Sequence, residues 1–223
     1  MVLLAALLHA GWNAIYKGQG SGLATGVVIT IGMGGASALA LPFVPIPAPE
    51  SWGYFAASVA LHLCYRLFLS ACYRYGDLGQ VYPISRGTGP LLVTIVSFYW
   101  LGEKLPAQVM LGIIVVIIGI VSLAFRGGGI SAFHAMRPVL LAIGTGIFIA
   151  AYTIADGLGA RLAGTPHGYI FWLMFVDSLV FVPVVGYLRR DTILQFSTKD
   201  WLIGLGGGVM ALTAYWLFVW AMT

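Results

Sequence analysis

Long apolar runs, eight of them, joined by short polar or Pro/Gly-rich connections, constrain this chain more than any other feature of it. A helix needs about 20 apolar residues, within a range of about 17–25, to cross the hydrocarbon layer of a bilayer. By that measure spans are expected at Val2–Tyr16, Ala24–Val44, Trp52–Tyr73, Gln80–Leu101, Ala107–Phe125, Val139–Gly159, Gly168–Leu188 and Trp201–Met222. The runs are continuous rather than alternating, which excludes a membrane β-barrel. Only 8% of the residues are charged and 60% are hydrophobic, whereas a soluble domain carries about 25% charged residues. Too few charges remain to clothe a surface in water, so the expected solvent is lipid. The fold class that follows is an all-α integral membrane protein, a multi-spanning helix bundle. Trp52, Trp100, Trp201 and Trp220 stand at span ends, where amphipathic rings favour the membrane interface.

The formal charge of +4 comes from 11 cations against 7 carboxylates. The cations are scattered singly along the connections, which fits anionic lipid head groups and gives no reason to expect a nucleic-acid partner. Cys64 and Cys72 stand two helical turns apart, too far for a disulfide. The N-terminus lacks a basic n-region and runs into Trp12, Asn13 and Lys17, so it reads as an uncleaved first span rather than a signal peptide. That span is short, as though the reading began inside a helix.

An internal repeat emerges when the spans are shifted on one another. Val59, Tyr65, Leu67, Phe68 and Ala71, moved by 150 positions, meet Val209, Tyr215, Leu217, Phe218 and Ala221. A shift of 140 pairs Ala10, Trp12 and Asn13 with Ala150, Tyr152 and Thr153. Both shifts preserve the same order, so the expected organisation is a five-helix repeat over 1–125 followed by three helices of a second over 139–223. Five spans are odd, so the second repeat enters from the opposite face, an inverted arrangement that many carriers use for alternating access. The second repeat lacks counterparts of spans four and five, which makes a fragment of a ten-helix protein the expectation.

Ionisable groups inside a span normally face a water-filled cavity or one another. His9, Trp12, Asn13 and Tyr16 follow helical spacing in span one, as do His62, Tyr65, Arg66 and Tyr73 in span three. Tyr152, Thr153 and Asp156 fall within about one turn of span six, and Asp177 lies near the middle of span seven. For the aromatics the alternative is plain packing; for the histidines it is a bond to a neighbouring carbonyl. Span four is the most informative: Tyr82-Pro83-Ile84-Ser85-Arg86-Gly87-Thr88-Gly89-Pro90. Pro90 leaves the carbonyl of Arg86 without its helical donor, and Pro83, Arg86, Gly87 and Pro90 share one face. Such a segment is tolerated at membrane depth only where it lines protein or water, though a packing kink would also account for it. Gly204-x-x-x-Gly208 and the glycines near Gly32–Gly35 permit close helix contact, within the chain or in a homodimer.

The His9–Asn13 run, the Tyr73–Leu78 stretch, Tyr82-Pro83-x-x-Arg86-Gly87 and the Leu101-Gly102-Glu103 junction resemble the EamA-like family of the drug/metabolite transporter superfamily. The resemblance implies a ten-helix inverted-repeat secondary carrier in the plasma (inner) membrane. It moves a small metabolite through a central cavity between the repeats and needs no cofactor or metal. The candidate substrate-binding residues are His9, Trp12, Asn13, His62, Tyr65, Arg66, Tyr82, Arg86, Tyr152 and Asp156. With two arginines among them, the expected substrate is an amino acid or organic acid.

Two other readings stand beside the carrier. Asp156-Gly157-Leu158-Gly159-Ala160-Arg161 resembles the opening of the signature of CDP-alcohol phosphatidyltransferases, but Ile170, Met174 and Ser178 occupy positions where that signature requires Gly, Asp and Asp. A divalent metal would then have too few oxygen ligands. A non-transporting membrane scaffold is the third. No zinc-protease helix, serine-hydrolase elbow or phosphate-binding loop occurs, so no enzymatic activity is expected. Connections after odd-numbered spans carry seven cations and the opposite face Lys104 and Arg161. Counting charges thus places the N-terminus outside, whereas the resemblance places it in the cytoplasm.

Overall fold

The computed structural model describes residues 2–20, 22–100, 106–124 and 136–221. The described residues form helices, turns and connections, with no strand among them. The helices are α1 (Val2–Gly18), α2 (Leu23–Ala40), α3 (Trp52–Tyr75), α4 (Leu78–Trp100), α5 (Ala107–Ala124), α6 (Met136–Leu162), α7 (Pro166–Leu188), the single turn α8 (Arg190–Ile193) and α9 (Thr198–Trp220). Each of the eight expected spans thus contains a helix over its described residues. Among the described residues five segments are long and apolar enough to cross a membrane: Leu23–Phe43, Pro49–Tyr75, and helices α6, α7 and α9. α1 is shorter, with 17 residues, and α4 has its apolar character diluted by Gln80, Arg86 and four glycines and prolines between Pro83 and Pro90. The protein is a multi-pass helical membrane protein. The Leu101-Gly102-Glu103 junction and the connection at Arg126–Gly129 lie outside the described residues.

Helix α3 runs on past its expected end at Tyr73 to Tyr75, and α6 extends past Gly159 to Leu162. A helix satisfies its own backbone whether or not the residues are apolar, so polar ends such as Arg74 and Arg161 continue it. Starts are set by side chains that accept orphan amides. Thr165 accepts from the Gly168 amide at 3.1 Å, with Pro166 opening α7. Ser197 and Asp200 form a capping box at α9, in which the Asp200 amide donates to Ser197 Oγ at 3.2 Å and the Ser197 amide to Asp200 Oδ2 at 2.9 Å. Asp77 Oδ1 accepts from the Gly79 amide at 2.8 Å where α4 begins. Gly164, between α6 and α7, has φ +67°, a conformation that disfavours any side chain.

The chain divides into two compact units, one of Met1–Leu63 with Ala155–Thr223, the other Cys64–Ile154. The cuts fall within α3 and α6. This division by contact differs from the division by repeat, which concerns matched sequence.

In the first unit α2 packs against α7 and α9, and α1 against α9. Small residues let the backbones approach. A Cβ on Gly32 would stand 2.5 Å from the Leu205 carbonyl oxygen, one on Gly204 2.6 Å from Val28 Cγ1, and one on Gly208 2.6 Å from the Met33 amide. Gly32, Gly204 and Gly208 thus serve close contact between α2 and α9 within the chain. Ser178 adds a bond between helices, its hydroxyl 3.2 Å from the Thr30 carbonyl. In lipid, where apolar side chains gain nothing by leaving tails for one another, such close packing supplies the attraction between helices.

In the second unit α4 packs against α5. Added Cβ atoms on Gly146 and Gly89 would meet Thr88 Cβ at 2.5 Å and Ile149 Cγ2 at 2.6 Å, so α4 and α6 also lie close. Helix α4 stays helical through Pro83 and Pro90. Hydroxyls around the prolines bond back to their own helix: Ser85 Oγ to the Tyr82 carbonyl at 3.0 Å, Thr88 to Ile84 at 2.7 Å and Thr94 to Pro90 at 2.8 Å.

Candidate functional site

The second unit builds a cationic centre on α4. Arg86, half-buried, is the residue that the proline-flanked segment of α4 places one turn from Tyr82. Its Nη2 donates to the Tyr65 hydroxyl of α3 at 3.2 Å. Its guanidinium carbon lies 6.0 Å from the centre of the Tyr65 ring and 5.8 Å from that of Tyr82. Tyr152 of α6 meets Tyr65 edge to face, 5.5 Å between centroids, and both rings are buried. Aromatic faces attract a cation by their quadrupole, and a phenol oxygen accepts its proton. These partners position the guanidinium. Gly87, on the same expected face as Arg86, turns instead to α5, where a Cβ would stand 3.2 Å from Ile120 Cδ1. The face singled out in the sequence thus serves both packing and the polar centre.

The first unit builds an anionic centre on α6. Asp156 has no exposed surface at all. Its Oδ1 accepts from the Tyr169 hydroxyl of α7 at 3.3 Å, and its Oδ2 accepts from the Tyr215 hydroxyl of α9. Tyr215 in turn receives the edge of the His62 ring, centroids 5.6 Å apart at 83°. His62 Nδ1 lies 3.0 Å from the Ser58 carbonyl and 3.1 Å from the Ser58 hydroxyl. A carbonyl only accepts, so Nδ1 carries a proton in this geometry. Gly159, one turn beyond Asp156, makes room for Tyr169: a Cβ there would stand 2.5 Å from the Tyr169 oxygen. Phe55 closes the other side of that ring, 5.8 Å between centroids.

The sequence-expected residues distribute over these centres unevenly. Tyr65, Tyr82, Arg86 and Tyr152 come together in the second unit, and His62 and Asp156 in the first. Arg66, on α3 in the second unit, is half-buried. His9, Trp12, Asn13 and Tyr16 do share a face of α1. Trp12 meets His9 and Tyr16 edge to face at 6.1 and 6.5 Å, and the Asn13 amide donates to the His9 carbonyl of its own helix at 2.7 Å. Asn13, Trp12 and Tyr16 are buried, and Tyr16 packs at Gly26, where a Cβ would lie 2.9 Å from its ring. Asp177 is buried on α7. Reading the sequence missed Tyr169 and Ser58 and took Tyr215 only as the repeat counterpart of Tyr65. That counterpart relation was the signal available, because a phenol matched to Tyr65 is a phenol at membrane depth.

The comparisons with known proteins agree with this architecture. One solved crystal structure of a protein superimposes with a TM-score of 0.65 at 16% identity, covering 99% of this chain and 77% of that one. Likeness at that identity shows a shared fold. Comparison with curated proteins gave no match. The EamA-like transporter family is matched over residues 1–125, more than half of the chain. The protein therefore belongs to the EamA-like transporter family.

Proposed function

We propose that the protein is a secondary carrier in the plasma (inner) membrane for a small anionic or zwitterionic metabolite, an amino acid or organic acid, whose carboxylate Arg86 holds. The observation that carries the reading is the half-buried guanidinium of Arg86 on the proline-interrupted helix α4, framed by Tyr65 and Tyr82. A guanidinium matches a carboxylate in plane and can bind it through two parallel bonds, and the phenols Tyr65 and Tyr82 position it. Membership of a transporter family supports the carrier class. The enzyme reading has less in its favour. Both oxygens of Asp156 accept phenol protons, and Ile170 and Met174, where that signature needs Gly and Asp, are buried apolar residues of α7.

Uptake of a labelled panel of amino acids, organic acids and organic cations into proteoliposomes tests the proposal. Carboxylates are expected to compete. Arg86→Ala should lower uptake about tenfold or more, since a charge-assisted bond contributes about 1.5–3 kcal/mol and about 1.4 kcal/mol is a factor of ten. Arg86→Lys, which keeps the charge but loses the planar fork, should retain an intermediate rate. Competition by organic cations alone, or normal uptake by a normally inserted Arg86→Ala protein, would remove the arginine from the site.

A further inference from the structure

We propose that Asp156 is a proton-binding site, and that one proton taken up and released there is linked to the transport cycle. The linkage rests on the carrier reading; the proton site itself does not. The ligand is H⁺, and the step is simple in balance. A carboxylate at Asp156 gains one proton from the water on one side of the membrane and later returns it to water on the other.

Three observations lead to this. First, the carboxyl group is fully buried within a helix that spans the membrane. A carboxyl group there is removed from bulk water, so the side chains around it govern how a proton on it is held. Second, its hydrogen-bond partners are hydroxyls, the phenols of Tyr169 and Tyr215 together with Ser58. An arginine partner would pin the group ionised, and a wholly apolar pocket would pin it neutral. A phenol can donate to a carboxylate or, after rotation about its C–O bond, accept from a carboxylic acid. Tyr169 and Tyr215 can therefore satisfy Asp156 in both protonation states with no movement of backbone. Third, the phenols come from two different helices, α7 and α9, so reversing one bond changes what holds α6 to each of them.

The groups facing Asp156 are accounted for element by element. Helix α3 contributes His62 and the Ser58 hydroxyl, α7 contributes Tyr169, and α9 contributes Tyr215. Of these only His62 is a basic side chain, and it sits against the Tyr215 ring with Nδ1 held by Ser58. A metal cation suits the pocket less than a proton does. It needs several oxygen lone pairs, and here two hydroxyls already point their hydrogens at the carboxylate.

Infrared difference spectra of the full-length protein, titrated from about pH 4 to about pH 9 across the carboxyl and imidazole ranges, read the proton directly. A carboxylic-acid carbonyl band that rises on acidification and is missing in Asp156→Asn is expected. In Tyr215→Phe the same band should persist with its frequency or midpoint displaced, because a hydrogen-bond partner of the carboxyl group has gone. No band attributable to Asp156 anywhere in that range would overturn the proposal, whatever the transport result. The linkage is read in proteoliposomes as the ratio of uptake with a pH gradient to uptake without one, using whichever carboxylate of the panel is carried. That ratio should exceed unity for the native protein and fall to unity in Asp156→Asn. A native ratio of unity would overturn the linkage, and failure of the whole panel would overturn the carrier reading while leaving the infrared result standing.

Discussion

Two polar centres, one in each compact unit, are built from the same side chain with opposite use. In the first unit Tyr215 and Tyr169 donate their phenol protons to Asp156. In the second, the Tyr65 hydroxyl accepts a hydrogen bond from Arg86. Tyr65 and Tyr215 are matched across the expected repeat, 150 positions apart. A residue that can both donate and accept lets a duplicated helix keep its phenol while its partner's charge is reversed. Glycine follows the same contrast. Gly159 is fitted against the ring that serves Asp156, whereas Gly87, beside Arg86, faces only the flexible ends of Ile120 and Val116. The glycine beside the anionic centre is fitted against a ring, and the glycine beside Arg86 against looser aliphatic ends of α5.

The largest effect expected from breaking this contrast is at Gly159. A methyl group there would stand 2.5 Å from the Tyr169 oxygen and 2.7 Å from its ring carbons, with Phe55 behind the ring. Overpacking of this kind costs about 1–3 kcal/mol, and displacing Tyr169 also loosens its bond to Asp156. Gly159→Ala should lower the thermal midpoint of the detergent-solubilised protein by several degrees, and by more than Gly87→Ala does. A midpoint unchanged from the native one would mean that α6 and α7 are free to separate.

Next in size is the pair of hydroxyl deletions. Tyr215→Phe removes a donor from a buried carboxylate, and leaving a buried polar group short of a partner costs about 1–3 kcal/mol. Tyr65→Phe removes one acceptor from a half-buried guanidinium, while the ring keeps its aromatic face toward the cation, so about 0.5–1.5 kcal/mol is expected. Thermal unfolding of both variants side by side checks the order. Equal losses would mean that the two centres are equally closed to water.

Much of this arrangement was legible in the sequence, and the remainder was hidden for a physical reason. Continuous apolar runs set the helices, and the cost of a charge in lipid singled out Arg86 and Asp156 before any geometry was known. The partners were harder. Tyr169 sits in an apolar stretch of α7 where an aromatic ring reads as packing, and only the approach of α6 reveals that its hydroxyl is spoken for. Tyr152 and Asp156 cluster within one turn of sequence, yet Tyr152 packs on Tyr65 while Asp156 bonds to α7 and α9. Helical spacing groups residues along one element; it carries no information about which neighbour each will meet. The glycines of α2 and α9 were ambiguous on the same ground, since a small-residue stripe fits an internal helix as well as a second copy.

The smallest effect is expected at Gly87, where two contributions of opposite sign nearly cancel. An alanine gains about 1 kcal/mol over glycine within a helix, because the backbone has less freedom to lose. Against that, its Cβ would lie 3.2 Å from Ile120 Cδ1 and 3.3 Å from Val116 Cγ1. Those contacts are tight by a few tenths of an ångström, but both atoms end flexible aliphatic side chains that can rotate away. Gly87→Ala should therefore change stability by less than about 1 kcal/mol in either direction, well short of the loss at Gly159. Transport sharpens the comparison further. Gly87 adjoins Arg86 in sequence but turns to α5, so its variant should keep the uptake that Arg86→Ala loses. Measuring midpoint and uptake on the same preparation separates the outcomes. A stable Gly87→Ala protein that no longer carries carboxylates would show that α4 must move against α5 during transport. A large loss of stability would show that the cationic centre is packed as tightly as the anionic one, and the contrast between the two units would fail.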